Sequence, residues 1–246
     1  FSSLATAQQA TTDLEITKQQ SSFFSKEYWG MSYANYMNGP TFSEAKGGSI
    51  NHYLALKHKF NSSWYLSAVF QPNTNIDNGG ETFAIGDSYL VLGYPTIYEF
   101  SGGKIYGQLR YYAPTSKSSQ DAELAGKIQP RVYVDYATGK WSFNYLLVPV
   151  INLNTKTVDG QTRFIQSHNF AAYYSVTPRF SLDLLVNPAW THARNKASAF
   201  NDVMIYPGFT SKLTKDLSIS PYVSMPIMKV EAKSTAVGAM LSYIII

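Results

Sequence analysis

Cationic side chains recur at alternate positions of extended, polar-faced segments, and they are the groups of this chain best suited to act on a solute. Arg110 and Arg131 are the most informative pair. If the loop 117–125 joins its neighbouring segments symmetrically, Arg110 lies across from about Val132 and therefore diagonal to Arg131, roughly 7–8 Å away near mid-height. Two guanidinium groups so close would attract an anion. The spacing predicts a surface that favours anionic solutes.

Other polar residues are predicted to share this face. We expect the cations and neutral residues of this face to line a water-filled space. The cations are Lys57, Lys59, Lys104, Arg110, Lys127, Arg131 and Lys212, and the neutral residues are Gln108 and Tyr112. Acidic residues on the same faces are Glu99, Asp135, Asp183 and Asp216. The alternative is that the two arginines pair with Asp135 and Glu99 in a structural network.

Histidine chemistry finds no support in the spacing of the residues. A nucleophile and its base must lie two residues apart to share one face of a strand. None of the 4 histidines has a serine at that distance, and Ser167-His168-Asn169 places neighbours on opposite faces. The chain has 0 cysteines and scattered carboxylates, a composition that offers no zinc ligand set. We expect no catalytic residue, metal site or cofactor, and we interpret 77–81 as a turn rather than a calcium loop.

Short segments with a period of two must position these side chains. Apolar and polar residues alternate from about residue 26 onward in segments of roughly 11–14 residues, enough to cross a bilayer as tilted strands. The predicted strands are 26–37, 49–60, 64–74, 87–99, 104–116, 126–138, 141–154, 165–178, 180–193, 202–214, 216–228 and 234–246. The first 25 residues are polar, with at best a short helix around 11–19.

The connections between these strands alternate in length. Tight turns are predicted at 61–63, 101–103, 138–140, 178–179 and 215–216, where Gly, Asn, Asp or Pro permits a reversal. Longer polar stretches are 38–48, 75–86, 117–125, 155–164, 194–201 and the shorter 229–233. Six in-strand prolines predict several bulges or kinks, because proline lacks the N–H of the ladder; they are Pro95, Pro130, Pro149, Pro188, Pro207 and Pro221.

The aromatic content indicates which environment the outer surface of the molecule contacts. The chain has 19 Tyr, 14 Phe and 4 Trp, but only 15% charged residues. Apolar rows run the full length of the strands, and tryptophans near strand ends are typical of a membrane–water interface. The predicted interface residues are Trp29, Trp64, Trp141 and Trp190. A net charge of +4 without a dense basic run argues against nucleic-acid binding.

The last residues of the chain, 234–246, resemble the closing strand of a bacterial outer-membrane β-barrel. Val237, Leu241 and Tyr243 share one face, and the small residues Gly238 and Ser242 share the other. The resemblance implies an all-β fold, a transmembrane antiparallel up-and-down β-barrel of about twelve strands formed by residues 26–246. Residues 1–25 would then be a periplasmic segment or a lumen plug. It also implies a mature chain without its signal peptide, located in the outer membrane among lipid and lipopolysaccharide.

The function that we expect is a monomeric, narrow channel with a mild preference for anions that passes small hydrophilic solutes. Three alternatives stay open. The first is a closed structural or adhesive barrel. The second is a lipid-modifying enzyme, similar to the twelve-stranded outer-membrane phospholipase, although the His–Ser spacing of that enzyme is missing here. The third is a soluble β-sandwich or ligand-binding barrel, because burial of one apolar face gives the same period of two.

Overall fold

A computed structural model describes residues 29–41, 48–60, 63–77, 80–157, 159–227 and 235–244. The predicted N-terminal segment 1–25, with its short helix at 11–19, lies outside the described residues, as do residues 78 and 79 of the 77–81 turn. No helix in the described ranges is long and apolar enough to cross a bilayer.

Strands account for most of the described chain. They are β1 (Trp29–Thr41), β2 (Gly48–Lys59), β3 (Tyr65–Phe70), β4 (Pro72–Asp77), β5 (Gly80–Ile85), β6 (Tyr89–Phe100), β7 (Gly103–Tyr112), β8 (Leu124–Thr138), β9 (Trp141–Asn154), β10 (Thr162–Thr177), β11 (Phe180–Ala193), β12 (Ala199–Lys212), β13 (Leu217–Pro226) and β14 (Ala236–Ile244). One helical turn, α1 (Lys117–Asp121), joins β7 to β8. The predicted bounds of β9 and β11 agree with the structure at both ends.

These strands close into a single antiparallel barrel. β3 and β4 both pair with β2 and together act as one strand, broken at Gln71; β5 and β6 likewise form the next strand around the barrel. The first strand pairs with both its neighbours, since β1 contacts β2 on one side and β14 on the other. The barrel therefore has twelve strands. The predicted fold class is confirmed.

One predicted loop is wrong. The stretch 75–86 was expected to be irregular, but β4 and β5 pair continuously from Pro72↔Ile85 to Asp77↔Gly80. This hairpin continues past the point where β7 ends, and residues 82–85 are exposed on both faces. Because neither face is buried there, the sequence has no apolar–polar alternation to reveal the strand.

The two faces of the wall agree with the predicted rows. In β3, Tyr65, Ser67 and Val69 are buried inside the barrel, whereas Leu66 and Phe70 are exposed outside. Short turns cluster at one end of the barrel, which we call the short-turn end, and the other connections lie at the long-loop end. The alternation of connection lengths thus places the two rims as predicted, apart from the β4–β5 hairpin.

Prolines are accommodated in two ways. A register shift between Tyr94 and Tyr98 surrounds Pro95, and another shift between Ala189 and Trp190 follows Pro188. These two positions agree with the predicted bulges. Elsewhere the ladder is interrupted but its register is unchanged, so Pro130, Pro149, Pro207 and Pro221 lie in the strands without a bulge.

Pro130 and Pro149 show how an interruption works without a bulge. They face each other between the pairs Ile128↔Ile151 and Val132↔Leu147 of β8 and β9, which have the same register. Each proline still has a ladder partner on its other side, Leu109 for Pro130 and Gln166 for Pro149. A proline has no backbone N–H to donate to a neighbouring strand. Because Pro130 and Pro149 face each other, both missing donors fall at the same interruption of the β8–β9 ladder.

Candidate functional site

Arg110 and Arg131 lie on adjacent strands and face the barrel interior. Arg110 is opposite Gln129, which makes it diagonal to Arg131. Both side chains are only 2% exposed. Their guanidinium groups donate to the same phenol oxygen, that of Tyr112, at 3.5 Å from Arg110 and 3.2 Å from Arg131. The predicted diagonal relation is confirmed, but the predicted partner Val132 is wrong by three residues.

The register differs from the expectation because the β7–β8 connection is not symmetric. The first strand ends early, at Tyr112, before Pro114. The helical turn α1 follows, and β8 then has an irregularity between Leu124 and Gly126 against β9. The prediction assumed a symmetric loop centred on residue 121, so it placed β7 and β8 three residues out of their observed register.

Glutamine side chains hold both guanidinium groups in place. Arg110 donates from Nε and Nη2 to Gln108 Oε1 at 2.9 and 2.7 Å. Arg131 donates to Gln129 Oε1 in the same way, at 3.2 and 2.5 Å. A two-point hydrogen bond fixes the plane of a guanidinium without neutralising it. The described wall therefore keeps the positive charge of both groups.

Acidic partners for this pair lie too far away along the strands. Glu99 and Asp135 both stand opposite Lys104, which is six residues below Arg110 on β7. Six residues of a strand span about 20 Å, and Asp135 lies four residues, about 13 Å, from Arg131 on β8. Within the described residues neither arginine forms a salt bridge with Glu99 or Asp135. Direct ion pairs between the arginines and these two carboxylates are therefore absent from the described residues.

Tyrosine rings extend the cationic surface to the neighbouring strands. The Arg110 guanidinium lies 5.1 Å from the centre of the Tyr89 ring, a cation–π geometry. The Lys57 ammonium group, 6% exposed, lies 3.7 Å from the centre of the Tyr65 ring. Gln108 Nε2 donates to Tyr65 OH at 2.7 Å and so links this lysine to the arginine pair. We call Lys57, Tyr65, Gln108, Arg110 and Arg131 the cationic wall.

The opposite wall has mainly neutral polar groups, together with the carboxylate of Asp183 on β11. Ser167, Asn169 and Asn187 of β10 and β11 face inward and are at most 1% exposed. Asn187 Nδ2 donates to Asn169 Oδ1 at 2.7 Å. On β13 and β14, Ser220 and Ser242 continue this polar surface. The interior is therefore asymmetric in charge.

A second set of charges lines the short-turn end. Glu99, Lys104, Asp135 and Asn144 stand opposite one another in a row across β6 to β9. The Lys104 ammonium lies 5.0 Å from the centre of the Tyr106 ring, and Asp135 accepts from Asn144. This mouth contains carboxylates of its own, so the excess positive charge is concentrated further inside.

Asp87 organises the long-loop end. Its Oδ1 accepts from the Ser116 amide at 3.0 Å, and its Oδ2 accepts from Ser119 Oγ at 2.5 Å and from Lys127 Nζ at 2.6 Å. Burial alone would raise the pKa of the Asp87 carboxyl, but the hydrogen bonds from Lys127 and Ser119, with the Lys127 charge, hold this pKa below its ordinary value. The carboxylate fastens the segment that contains α1 to the rim.

Replacing Asp87 with asparagine should lower the free energy of unfolding by about 2 kcal/mol at neutral pH, because the charge-assisted bonds are lost. The folded pKa lies below the unfolded one, so this stabilisation is present above about pH 4 and disappears as pH falls through the folded pKa. Urea unfolding of both proteins across this range should show the difference shrinking in acid. Asp121→Asn, which removes an exposed i,i+4 partner of Lys117, should change little at any pH; equal losses in the two variants would contradict this role.

The other predicted site residues are dispersed. Lys127 is held by Asp87 at the long-loop end. Lys59 faces inward beside the short-turn end, opposite Tyr65, and Lys212 is exposed on the short-turn rim. The structure therefore brings together Lys57, Gln108, Arg110, Tyr112 and Arg131 and leaves the remaining lysines nearer the two mouths.

Tryptophans lie toward both ends of the outer surface. Trp29, Trp64 and Trp141 lie at the short-turn end and are 58%, 43% and 45% exposed. Trp190 lies toward the long-loop end, where its ring centre is 5.1 Å from that of Phe200. Aromatic side chains thus stand near both rims, the positions expected for the two interfaces of a bilayer.

Histidines all face outward, away from the cationic wall. His168 contacts Tyr145 OH at 2.7 Å on the outer surface, whereas its neighbours Ser167 and Asn169 are buried inside. The expected separation of this tripeptide onto two faces is confirmed. In the described ranges no three His, Asp or Glu side chains are grouped closely enough to hold a metal ion.

Solved structures with this architecture are outer-membrane channels. An outer membrane channel from Pseudomonas putida F1 matches with a TM-score of 0.62 at 10% identity, over 90% of this chain and 97% of that one. The NanC porin matches with a TM-score of 0.58 at 9% identity, over 88% and 100%. The chain shares the twelve-stranded barrel fold of these two proteins.

A third structure is that of the KdgM porin in complex with disordered oligogalacturonate, with a TM-score of 0.53 at 13% identity over 87% of this chain and 98% of that one. No protein-family model matches the sequence. No curated protein matches it either. The likeness is one of backbone architecture, and the side chains of the interior are this chain's own.

Several residues of the site were missed by sequence reasoning. Tyr89, Gln129 and Tyr133 contact the arginine pair, and Asp87 fastens the rim. Tyr133 OH lies 3.4 Å from Arg110 Nη2. Inward parity would have placed Tyr89 and Tyr133 in the interior, but only the correct strand register shows that they meet Arg110. For Asp87, no local pattern indicated its partners.

Proposed function

We propose that this chain is a monomeric outer-membrane barrel, embedded among lipid and lipopolysaccharide, that forms a narrow channel for small hydrophilic solutes with a preference for anions. The observation that supports it most directly is the diagonal pair Arg110 and Arg131 on the interior surface, where each guanidinium donates to a glutamine oxygen. At an effective dielectric constant near 20 and a separation of 7–8 Å, two like charges repel by about 2 kcal/mol. An anion between them relieves this repulsion.

Ion conduction through the purified protein tests the proposal. In planar bilayers with a KCl gradient, we expect stepwise currents and a reversal potential displaced toward that of chloride. A reversal potential displaced toward that of potassium would reject the anion preference. The absence of current from every insertion-competent preparation would reject the channel itself.

A closed barrel is the second candidate, favoured by the burial of interior side chains. Tyr133, Leu146 and Ser167 have 0% exposure. We propose that residues 1–25 fold into the lumen, because β1 begins at the short-turn rim with Trp29 and the interior that it adjoins is polar and cationic. A chain lacking residues 1–25 separates the possibilities: current from this variant alone indicates a plugged channel, and no current from either protein indicates a closed barrel.

A further inference from the structure

Two loops at the long-loop end are joined into one rigid platform. They connect β9 to β10 and β11 to β12. Gly160 N donates to Arg194 O, and Arg194 N donates to Gln161 O, both at 2.9 Å. Asn195 Nδ2 donates to Asp159 Oδ1 at 2.6 Å. Backbone hydrogen bonds hold the two loops together, so the points of the backbone from which their side chains project lie at a defined spacing.

Three cations project from this platform. Arg163 is the extra residue of a β10 bulge, between the pairs Thr162↔Ala193 and Phe164↔His192, and its side chain is exposed. Arg194 and Lys196 follow β11, and a Cβ on Gly160 would meet Lys196 Nζ at 3.0 Å. We call Arg163, Arg194 and Lys196 the rim cations.

The rim cations have no carboxylate within salt-bridge distance among the described residues. Within the described residues none of them forms a salt bridge; the pairs at this end are Lys117–Asp121, Lys127–Asp87 and Lys156–Glu123. The one acidic residue of the platform, Asp159, accepts from Asn195. The platform therefore presents a net positive charge at the rim.

An aromatic surface lies directly below these cations on the outside of the barrel. The ring centres of Phe164 and His192 are 5.2 Å apart, and those of Trp190 and Phe200 are 5.1 Å apart. Phe200 is 41% exposed. His192 Nδ1 also contacts Ser198 Oγ at 2.6 Å. Positive charge at the rim above an aromatic outer face complements an amphiphile with an anionic headgroup and acyl chains.

We infer that the rim cations and the aromatic surface below them form a binding site for a phosphorylated glycolipid of the outer leaflet. The phosphates would contact Arg163, Arg194 and Lys196, and the acyl chains would lie along Phe164, Trp190 and Phe200. This inference relies on the proposed function only for its orientation, in which the long-loop end faces outward. A Lys or Arg at a membrane surface attracts anionic lipid headgroups electrostatically, and both charged groups can stay exposed to water.

Binding of bisphosphorylated lipid A to the purified full chain in neutral detergent micelles tests this site, with native mass spectrometry as the readout. The triple variant R163Q/R194Q/K196Q should bind about a hundredfold more weakly than the wild type. The matched control K140Q/R179Q/K215Q removes the same number of exposed cations from the short turns and should bind like the wild type. Heat-induced unfolding without lipid verifies that both variants are folded.

Three results would overturn the inference: unchanged binding by R163Q/R194Q/K196Q, equal weakening by the control variant, or equal binding of dephosphorylated lipid A. Full competition by inorganic phosphate at a concentration equal to that of the lipid would also overturn it, because the site would then bind phosphate without any contribution from the acyl chains. None of these measurements depends on ion conduction. A barrel that fails to conduct can still pass the test, and a conducting barrel can fail it.

Discussion

Replacing Arg110 and Arg131 together by alanine should abolish the anion preference and bring the chloride-to-potassium permeability ratio down to about one. The two guanidinium groups share the Tyr112 oxygen, and their hydrogen bonds to Gln108 and Gln129 leave the charge in place. Reversal potentials in a salt gradient measure the change. An unchanged reversal potential would remove the arginine pair from the selectivity mechanism.

A charge-conserving variant separates electrostatics from packing. Arg110→Lys with Arg131→Lys loses the two-point bonds to the glutamines but keeps both charges, so it should retain most of the preference. Lys140→Ala with Arg179→Ala removes two exposed cations from the short turns and should leave the ratio unchanged. If the lysine variant behaves like the alanine variant, the geometry of the guanidinium groups, rather than their charge, determines selectivity.

Adding a methyl group at Gly93 should destabilise the barrel by about 3 kcal/mol. Gly93 is directly opposite Tyr65, and a Cβ there would come within 1.9 Å of the tyrosine ring. Overpacking of this kind costs about 1–3 kcal/mol, and displacing the ring also breaks its hydrogen bond from Gln108. Denaturant unfolding of Gly93→Ala in lipid vesicles, followed by tryptophan fluorescence, measures the loss.

Two controls identify the clash as the cause. A Cβ on Gly107 would meet the flexible end of Ile97 at 3.2 Å and the Arg131 carbonyl oxygen at an ordinary contact distance of 3.5 Å, so Gly107→Ala should cost less than about 1 kcal/mol. In a Tyr65→Ala background the ring is gone, and Gly93→Ala should then cost almost nothing. An equal cost of Gly93→Ala in both backgrounds would show that Gly93 is needed for its backbone and not for the space that it leaves.

Local patterns predicted the wall of the barrel well. The strands 141–154 and 180–193 were predicted at their observed bounds because a burial contrast runs along them and a turn of one or two residues precedes each. The β4–β5 hairpin was missed because it extends past the end of β7, where residues 82–85 are exposed on both faces. Alternation reports burial on one side, and it carries no signal where burial is absent.

Long-range partners were predicted less well. Arg110 and Arg131 were recognised as a pair from parity, but their glutamine and tyrosine partners depend on the β7–β8 register, which α1 displaces by three residues. The Asp87 carboxylate accepts hydrogen bonds from Ser116, Ser119 and Lys127, which follow it in the sequence by 29, 32 and 40 residues. No pattern within one segment contains such a contact, because it exists only after the barrel is assembled.

The facing prolines of β8 and β9 have a consequence for how the sheet finds its alignment. In the native pairing Pro130 and Pro149 occupy the same gap, so two missing donors cost the ladder a single interruption. A slip of two residues would keep every side chain on its proper face, and hydrophobicity alone would tolerate it. Such a slip would also place the two prolines opposite other residues, and the hydrogen-bond ladder would then be interrupted at two positions instead of one. The facing prolines therefore disfavour a two-residue slip, which the pattern of apolar and polar faces alone would permit. They favour the native register of β8 and β9 as the two strands pair.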